Sequence, residues 1–192
     1  MHHIVDHRHV LDHSPLRRRR HWHLWLLGFV VLLVAMILAS ALLPERGAPG
    51  MANMIKCAGN LSQIGKAIGL YAADHRNQFP DSFQTLMVCQ QLDSAVFVCP
   101  ASSDTPAAGA TTRATAQQLS AGGHCSYIYL GCGLTVNSAT ANTVVAYEPL
   151  GHHPHVGINV LFGDGQVEVV TPQAANKIVG AAAAGRLPAT MP

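Results

Sequence analysis

The sequence predicts an α+β protein: an N-terminal transmembrane helix, then an exported domain in which one long amphipathic helix packs on a small antiparallel sheet. Three observations predict it. Trp22 to Leu43 is apolar throughout and carries no ionisable group past His23. Met54, Cys57, Leu61, Ile64, Ile68, Tyr71 and Ala72 recur at three- and four-residue steps, the period of one helix face. Val156 to Val170 reads as two β-prone runs around Gly163-Asp164-Gly165, the pattern of a β-hairpin.

The chain divides by composition into a His/Arg-rich cytoplasmic tail (1–21), a transmembrane helix (22–43), a Pro/Gly linker (44–52) and an exported domain (53–192). Twenty-two helical residues span about 33 Å, enough to cross a hydrocarbon core of about 30 Å. Arg17 to Arg20 stand just before the apolar run. Lys and Arg are retained on the cytoplasmic side, so the expected location is the cell inner membrane, with the N-terminus inside and the C-terminal domain exported to the periplasm. Trp22 and Trp25 suit the inner headgroup level. Ala39-Ser40-Ala41 also fits the small-x-small form of a cleaved secretory signal. The long basic leader and the length of the apolar run favour an uncleaved anchor.

The first 23 residues hold five Arg against two Asp, and the remaining chain holds seven basic and eight acidic side chains (12 − 5 and 10 − 2). The exported part is therefore near neutral and offers no basic face for nucleic acid. Seven histidines (His2, His3, His7, His9, His13, His21 and His23) are scattered through the tail. Such a tract can bind borderline metals, but the solvated-tail reading explains it as well. All five cysteines (Cys57, Cys89, Cys99, Cys125 and Cys132) follow the anchor. Disulfides are expected there if that side is oxidising, and the odd number leaves at least one thiol free or paired between chains. The spacings leave the pairing open and lack a zinc-site signature.

In the exported domain, a helix is expected from about 53 to 75, with Leu61, Ile64, Ile68 and Tyr71 on its packing and assembly face. Gly59, Gly65 and Gly69 weaken it and permit another backbone to approach. Asp81 is the expected N-cap of a short helix reaching about Gln91. Ala95 to Val98 reads as a strand, and 101–123 as a loop with one helical turn near Thr115 to Leu119. Ser126 to Leu130 and Asn142 to Tyr147 read as further strands. After the hairpin, Thr171-Pro172 gives an N-cap and a first-turn proline for an Ala-rich helix ending near Ala184.

Five segments now stand in a recognisable order. They are Cys57-Ala-Gly-Asn-Leu-Ser-Gln-Ile-Gly-Lys-Ala-Ile-Gly-Leu-Tyr-Ala-Ala-Asp74, Phe79-Pro80, Phe97-Val98-Cys99-Pro100, Ser126-Tyr127 and Asn159-Val-Leu-Phe-Gly-Asp-Gly-Gln-Val-Glu168. Over roughly 53–172 the chain resembles the bacterial prepilin-like proteins with a C-terminal H-x9-DG signature, relatives of type II secretion pseudopilins. The resemblance implies a pilin-like domain and a structural or assembly role in the cell envelope, exercised through protein–protein contacts rather than catalysis. Its implied partners are the membrane, crossed once, and other envelope or pilin-like proteins, copies of itself included. The chain departs from the pattern in three places. Gly28-Phe29 lies inside the apolar run and is followed by Val30 to Leu33 rather than by a glutamate. A Pro/Gly linker interrupts the helix. Pro154 stands ten positions before Asp164, where the signature has histidine, although His153 and His155 flank it. These departures imply a divergent, permanently anchored relative.

Chemistry has few footholds. His152, His153 and Glu148 form the one candidate metal set, and an envelope ligand- or metal-binding sensor using this region is the alternative function. Asp164 belongs to the hairpin turn and sits a strand's length, roughly 25–30 Å, from His155, so these two do not share an ion. Cys125 follows His124, but neighbours on a strand point to opposite faces. No phosphate-binding glycine loop and no Gly-x-Ser-x-Gly element is present. No catalytic residue and no cofactor are expected.

Overall fold

The computed structural model describes residues 16–42, 48–154 and 156–184, in two units that divide after Arg46. In the first unit, helix α1 runs Leu16–Leu42. Every side chain from Trp22 to Ser40 is exposed, and among the described residues this is the one helix long and apolar enough to cross a membrane. An anchor and a signal sequence both meet that description.

In the second unit, helix α2 covers Ala48–Asp74 and so starts five residues before the expected 53. Pro49 does not prevent this, because a first-turn residue has no intrahelical N–H bond to lose. Residue 43 of the expected transmembrane helix and the part of the expected linker at 44–47 lie outside the described residues. One face of α2 is buried: Met54, Cys57, Leu61, Ile64, Ile68 and Ala72 are all 3 % exposed or less. Gly65 sits where the helix meets the sheet. A Cβ there would come within 2.7 Å of Leu161 Cδ1, whereas Gly59 and Gly69 have open space around them. Arg76 and Asn77, both in the left-handed region, reverse the chain after α2, and the Asn77 N–H returns to the Ala72 carbonyl.

Helix α3 spans Phe83–Gln90 and is capped by Ser82, whose Oγ accepts from the Thr85 N–H, rather than by the expected Asp81. The strand expected at Ala95 to Val98 is instead a 3-10 turn, Ser94–Phe97. The Asp93 carboxylate accepts the Ala95 N–H at 2.8 Å and starts that turn. The turn buries Val96 and Phe97, which are neighbours in sequence, in the same core; a strand would have sent them to opposite faces. Within 101–123, helix α4 forms at Thr112–Gln118, capped by Thr111, and packs on α3.

The sheet is a four-stranded antiparallel meander, β1 (Ile128–Tyr129), β2 (Val144–Tyr147), β3 (Ile158–Phe162) and β4 (Val167–Val170), with neighbours in chain order. The expected hairpin is present, and the strand expected at Ser126 to Leu130 shrinks to two residues. At the turn, Asp164 Oδ1 accepts from the Gln166 N–H, and Gly165 takes the left-handed backbone that a side chain would strain. β2 is bulged, pairing Val144 with Phe162 but Ala146 with Leu161. The bulge explains why Val145 and Ala146, though adjacent, both face the core under α2, while Val144 and Tyr147 face the other side.

That other side is covered by α5 (Pro172–Ala183), started by the expected Thr171 cap and Pro172. Its Ala175 and Ile178 pack with Ile158, Val160, Phe162 and Val170. The central strands are therefore buried on both faces, and the expected single helix layer becomes two. A mixed α+β architecture with a small antiparallel sheet is what the chain folds into.

Candidate functional site

Four segments meet at one point of the second unit. Cys57 comes from the buried face of α2, Cys99 from just after the 3-10 turn, Glu148 from the end of β2 and His153 from the loop before β3. All four are buried, and one ligand atom from each lies within 4.8 Å of every other. Helix periodicity aims Cys57 inward with Leu61 and Ile64. The loop after β2 folds back through bonds from the Val156 and Gly157 N–H groups to the His153 carbonyl.

Cys57 and Cys99 are joined as a disulfide with Cα atoms 5.2 Å apart. The other three cysteines are free: Cys89 and Cys132 are exposed and Cys125 is half-buried. The Cys125 thiol points to the Tyr127 carbonyl, and burial pushes its pKa up, so it is not an activated nucleophile. His124 engages the Thr105 carbonyl and takes no part in activating it.

Glu148 is fully buried and half-satisfied. Its Oε2 accepts from the backbone N–H of Asn159 at 2.8 Å and from Asn159 Nδ2 at 2.9 Å. The same Nδ2 also donates to the Met54 carbonyl on α2, so Asn159 ties helix, sheet and carboxylate together. Oε1 has no hydrogen-bond partner. It faces His153 Nε2 at 3.6 Å, and that nitrogen in turn lies 3.6 Å from Cys99 Sγ. The first distance exceeds a good N–H···O bond, whereas the second is a hydrogen-bond contact to the larger sulfur atom.

Burial raises the Glu148 pKa to about 7, against the pull of the two Asn159 bonds. Burial lowers that of His153, and neighbouring His152 lowers it further. Each group is thus pushed toward its neutral form, and at neutral pH the pair is not a fully charged salt bridge.

Of the candidate metal set His152, His153 and Glu148, the structure brings Glu148 and His153 together and leaves His152 out of the cluster. His152 Nδ1 is buried without a partner, and its pKa is lowered by burial and raised by Asp104 to a lesser extent. His155, Pro154's other neighbour, lies outside the described residues. The two cysteines and Asn159 were not linked to this set by the sequence reading. Asn159 carried a usable signal, a polar residue inside an otherwise apolar strand, because such a group needs a buried partner.

The expected packing and assembly face of α2 packs on the sheet and does not face outward. Leu61, Ile64 and Ile68 belong to the core under the sheet, and half-buried Tyr71 stacks on His75 at a centroid distance of 3.7 Å. A chain of this length can bury one helix face only once, and the sheet of the same unit takes it. A groove of about 350 Å³ between α2 and the β3–β4 turn carries Lys66 and Asp164 as its charged groups, so it offers shape with little chemistry. Compared with protein-family models, curated proteins and solved structures, the chain matches none.

Proposed function

We propose that this chain is a membrane-anchored, pseudopilin-like structural or assembly protein of the cell envelope, acting through protein–protein contacts. The observation that carries the reading is the fully exposed apolar span Trp22–Ser40 followed by a long helix whose inner face is committed to a small antiparallel sheet. Arg17 to Arg20 orient the span with the N-terminus in the cytoplasm and the α+β domain exported from the inner membrane. The buried Cys57–Cys99–Glu148–His153 cluster holds its two sulfurs in a disulfide, which supports a structural role for it in the resting chain.

Contacts with partners then use the outward face of α2, not Leu61, Ile64 and Ile68. Ile55 and Leu70 are 66 % and 62 % exposed there, alongside the open Gly59 and Gly69. The test is site-specific photocrosslinking in intact membranes from Ile55 and Leu70, with α4's exposed Gln117 as control. Discrete adducts from the first two and none from the control support assembly through this face. Equal, diffuse labelling from all three positions contradicts it.

A further inference from the structure

Closing an α2–sheet contact needs neither a glutamate nor a histidine beside a disulfide. Cys57, Cys99, Glu148 and His153 nevertheless converge from four separate segments, all buried, with their ligand atoms within 4.8 Å of one another. The Glu148 Oε1 atom is fully buried, has no hydrogen-bond partner and lies 3.6 Å from His153 Nε2. A tetrahedral zinc site with bonds of about 2.0–2.3 Å places its ligand atoms roughly 3.4–3.8 Å apart. The His153–Glu148 and Cys99–His153 separations are both 3.6 Å. The two sulfurs are too close, being bonded, and the remaining ligand atoms lie within 4.8 Å of one another. Parting them from about 2.05 Å to about 3.8 Å moves each outward by roughly 1 Å, which side-chain rotation supplies.

We propose that these four residues form a thiol–disulfide-gated site for a borderline-soft divalent metal ion of the zinc class. A dithiol reduces the Cys57–Cys99 bond by exchange, leaving two thiols here and a disulfide on the donor. The metal ion then binds both sulfurs as thiolates, His153 through Nε2 and Glu148 as a carboxylate through Oε1, and the two thiol protons, with the carboxyl proton where Glu148 holds one, leave to solvent. Exchange with an incoming disulfide runs the step backwards: the two sulfurs rejoin, the incoming disulfide becomes a dithiol, and the ion is released. Two thiolates and one carboxylate against a dication leave one negative charge. The two Asn159 N–H donors on Oε2 face that charge, so Asn159 is a positioning residue that turns Oε1 toward the metal. The assignment does not rest on the membrane-assembly reading, and either can fail alone.

The test uses the full-length chain in detergent with Cys89, Cys125 and Cys132 replaced by serine, reduced with a phosphine and titrated with cobalt(II). Histidines of the tail also bind cobalt, but only thiolates give the sulfur-to-cobalt charge-transfer band, so that band is the readout. One cobalt per chain with this band and tetrahedral visible absorption, displaced by zinc and abolished by oxidation, is the expected result. N159A weakens the affinity about 10- to 100-fold, and H153A and E148Q weaken it more. The proposal is overturned by absence of the band in the reduced chain, by a band that survives in C57S/C99S, or by unchanged affinity in both H153A and E148Q. Circular dichroism of each metal-free reduced chain checks that it is folded. The reduced parent protein decides the matter even where a variant does not fold.

Discussion

Replacing Cys57 and Cys99 together by alanine should destabilise the second unit by about 4 kcal/mol. The magnitude follows from the chain closed by the bond. A sequence separation of 42 removes about 13 cal/mol/K from the unfolded ensemble, or about 4 kcal/mol at 25 °C. Against a total of roughly 5–15 kcal/mol for a domain of this size, that is a large share. The two buried sulfurs also leave space beside Leu61 and Phe97, which adds to the loss. With a urea slope near 2 kcal/mol/M, the unfolding midpoint should fall by about 2 M. Both tryptophans lie in α1, so their fluorescence is blind to this unit. Pulse proteolysis or the tyrosine near-ultraviolet signal is the suitable assay. A loss below about 1 kcal/mol, the scale of an average point substitution, would refute the reasoning.

Three further outcomes follow from the same packing. Glu148 rises from its ordinary 4.5 to about 7 on burial, so its neutral form is favoured in the fold. Its contribution is complete below pH 4.5 and is lost as pH rises through about 7, an effect of at most about 3 kcal/mol. E148Q should therefore gain stability relative to the parent chain between pH 5 and 8, and a constant or shrinking difference in denaturation curves would contradict this. The lowered pKa values of His152 and His153 act in the opposite sense, since their contribution is lost as pH falls. Gly157 has φ +127°, and a Cβ there would collide with the Val170 carbonyl. G157A should cost about 3 kcal/mol or more in chemical denaturation, and an unchanged midpoint would show that the β3–β4 register is wrong. Leu61→Ala empties a fully buried site and should cost about 2–5 kcal/mol without altering crosslinking from Leu70. A loss of crosslinks with full stability would return Leu61 to the assembly surface.

Local signals carried part of this fold. The buried face of α2 was legible because helix periodicity repeats over six turns. The hairpin and the start of α5 were legible because Asp164-Gly165 and Thr171-Pro172 fix backbone geometry within a few residues. The 3-10 turn was hidden because Ala95 to Val98 has strand composition, and one Asp93 side-chain bond overrides it. The β2 bulge left no local trace, yet it decides which face Val145 and Ala146 take. Glu148 and His153 were legible as a candidate pair, but their meeting with Cys57 and Cys99 was not, for a related reason. Cys99 and His153 are 54 residues apart, and Asn159 and Met54 are 105 apart, so only the completed topology brings them together. The same topology turned Leu61, Ile64 and Ile68 inward, which an isolated helix pattern cannot distinguish from an assembly face.

The most direct test of the anchored, exported reading is the intact mass of the protein extracted from its native membrane after alkylation of free thiols without reduction. A chain that retains Trp22–Ser40 and carries three alkyl groups, on Cys89, Cys125 and Cys132, is the expected result. A chain cut after Ala41 would make the second unit a soluble exported domain and would contradict the account.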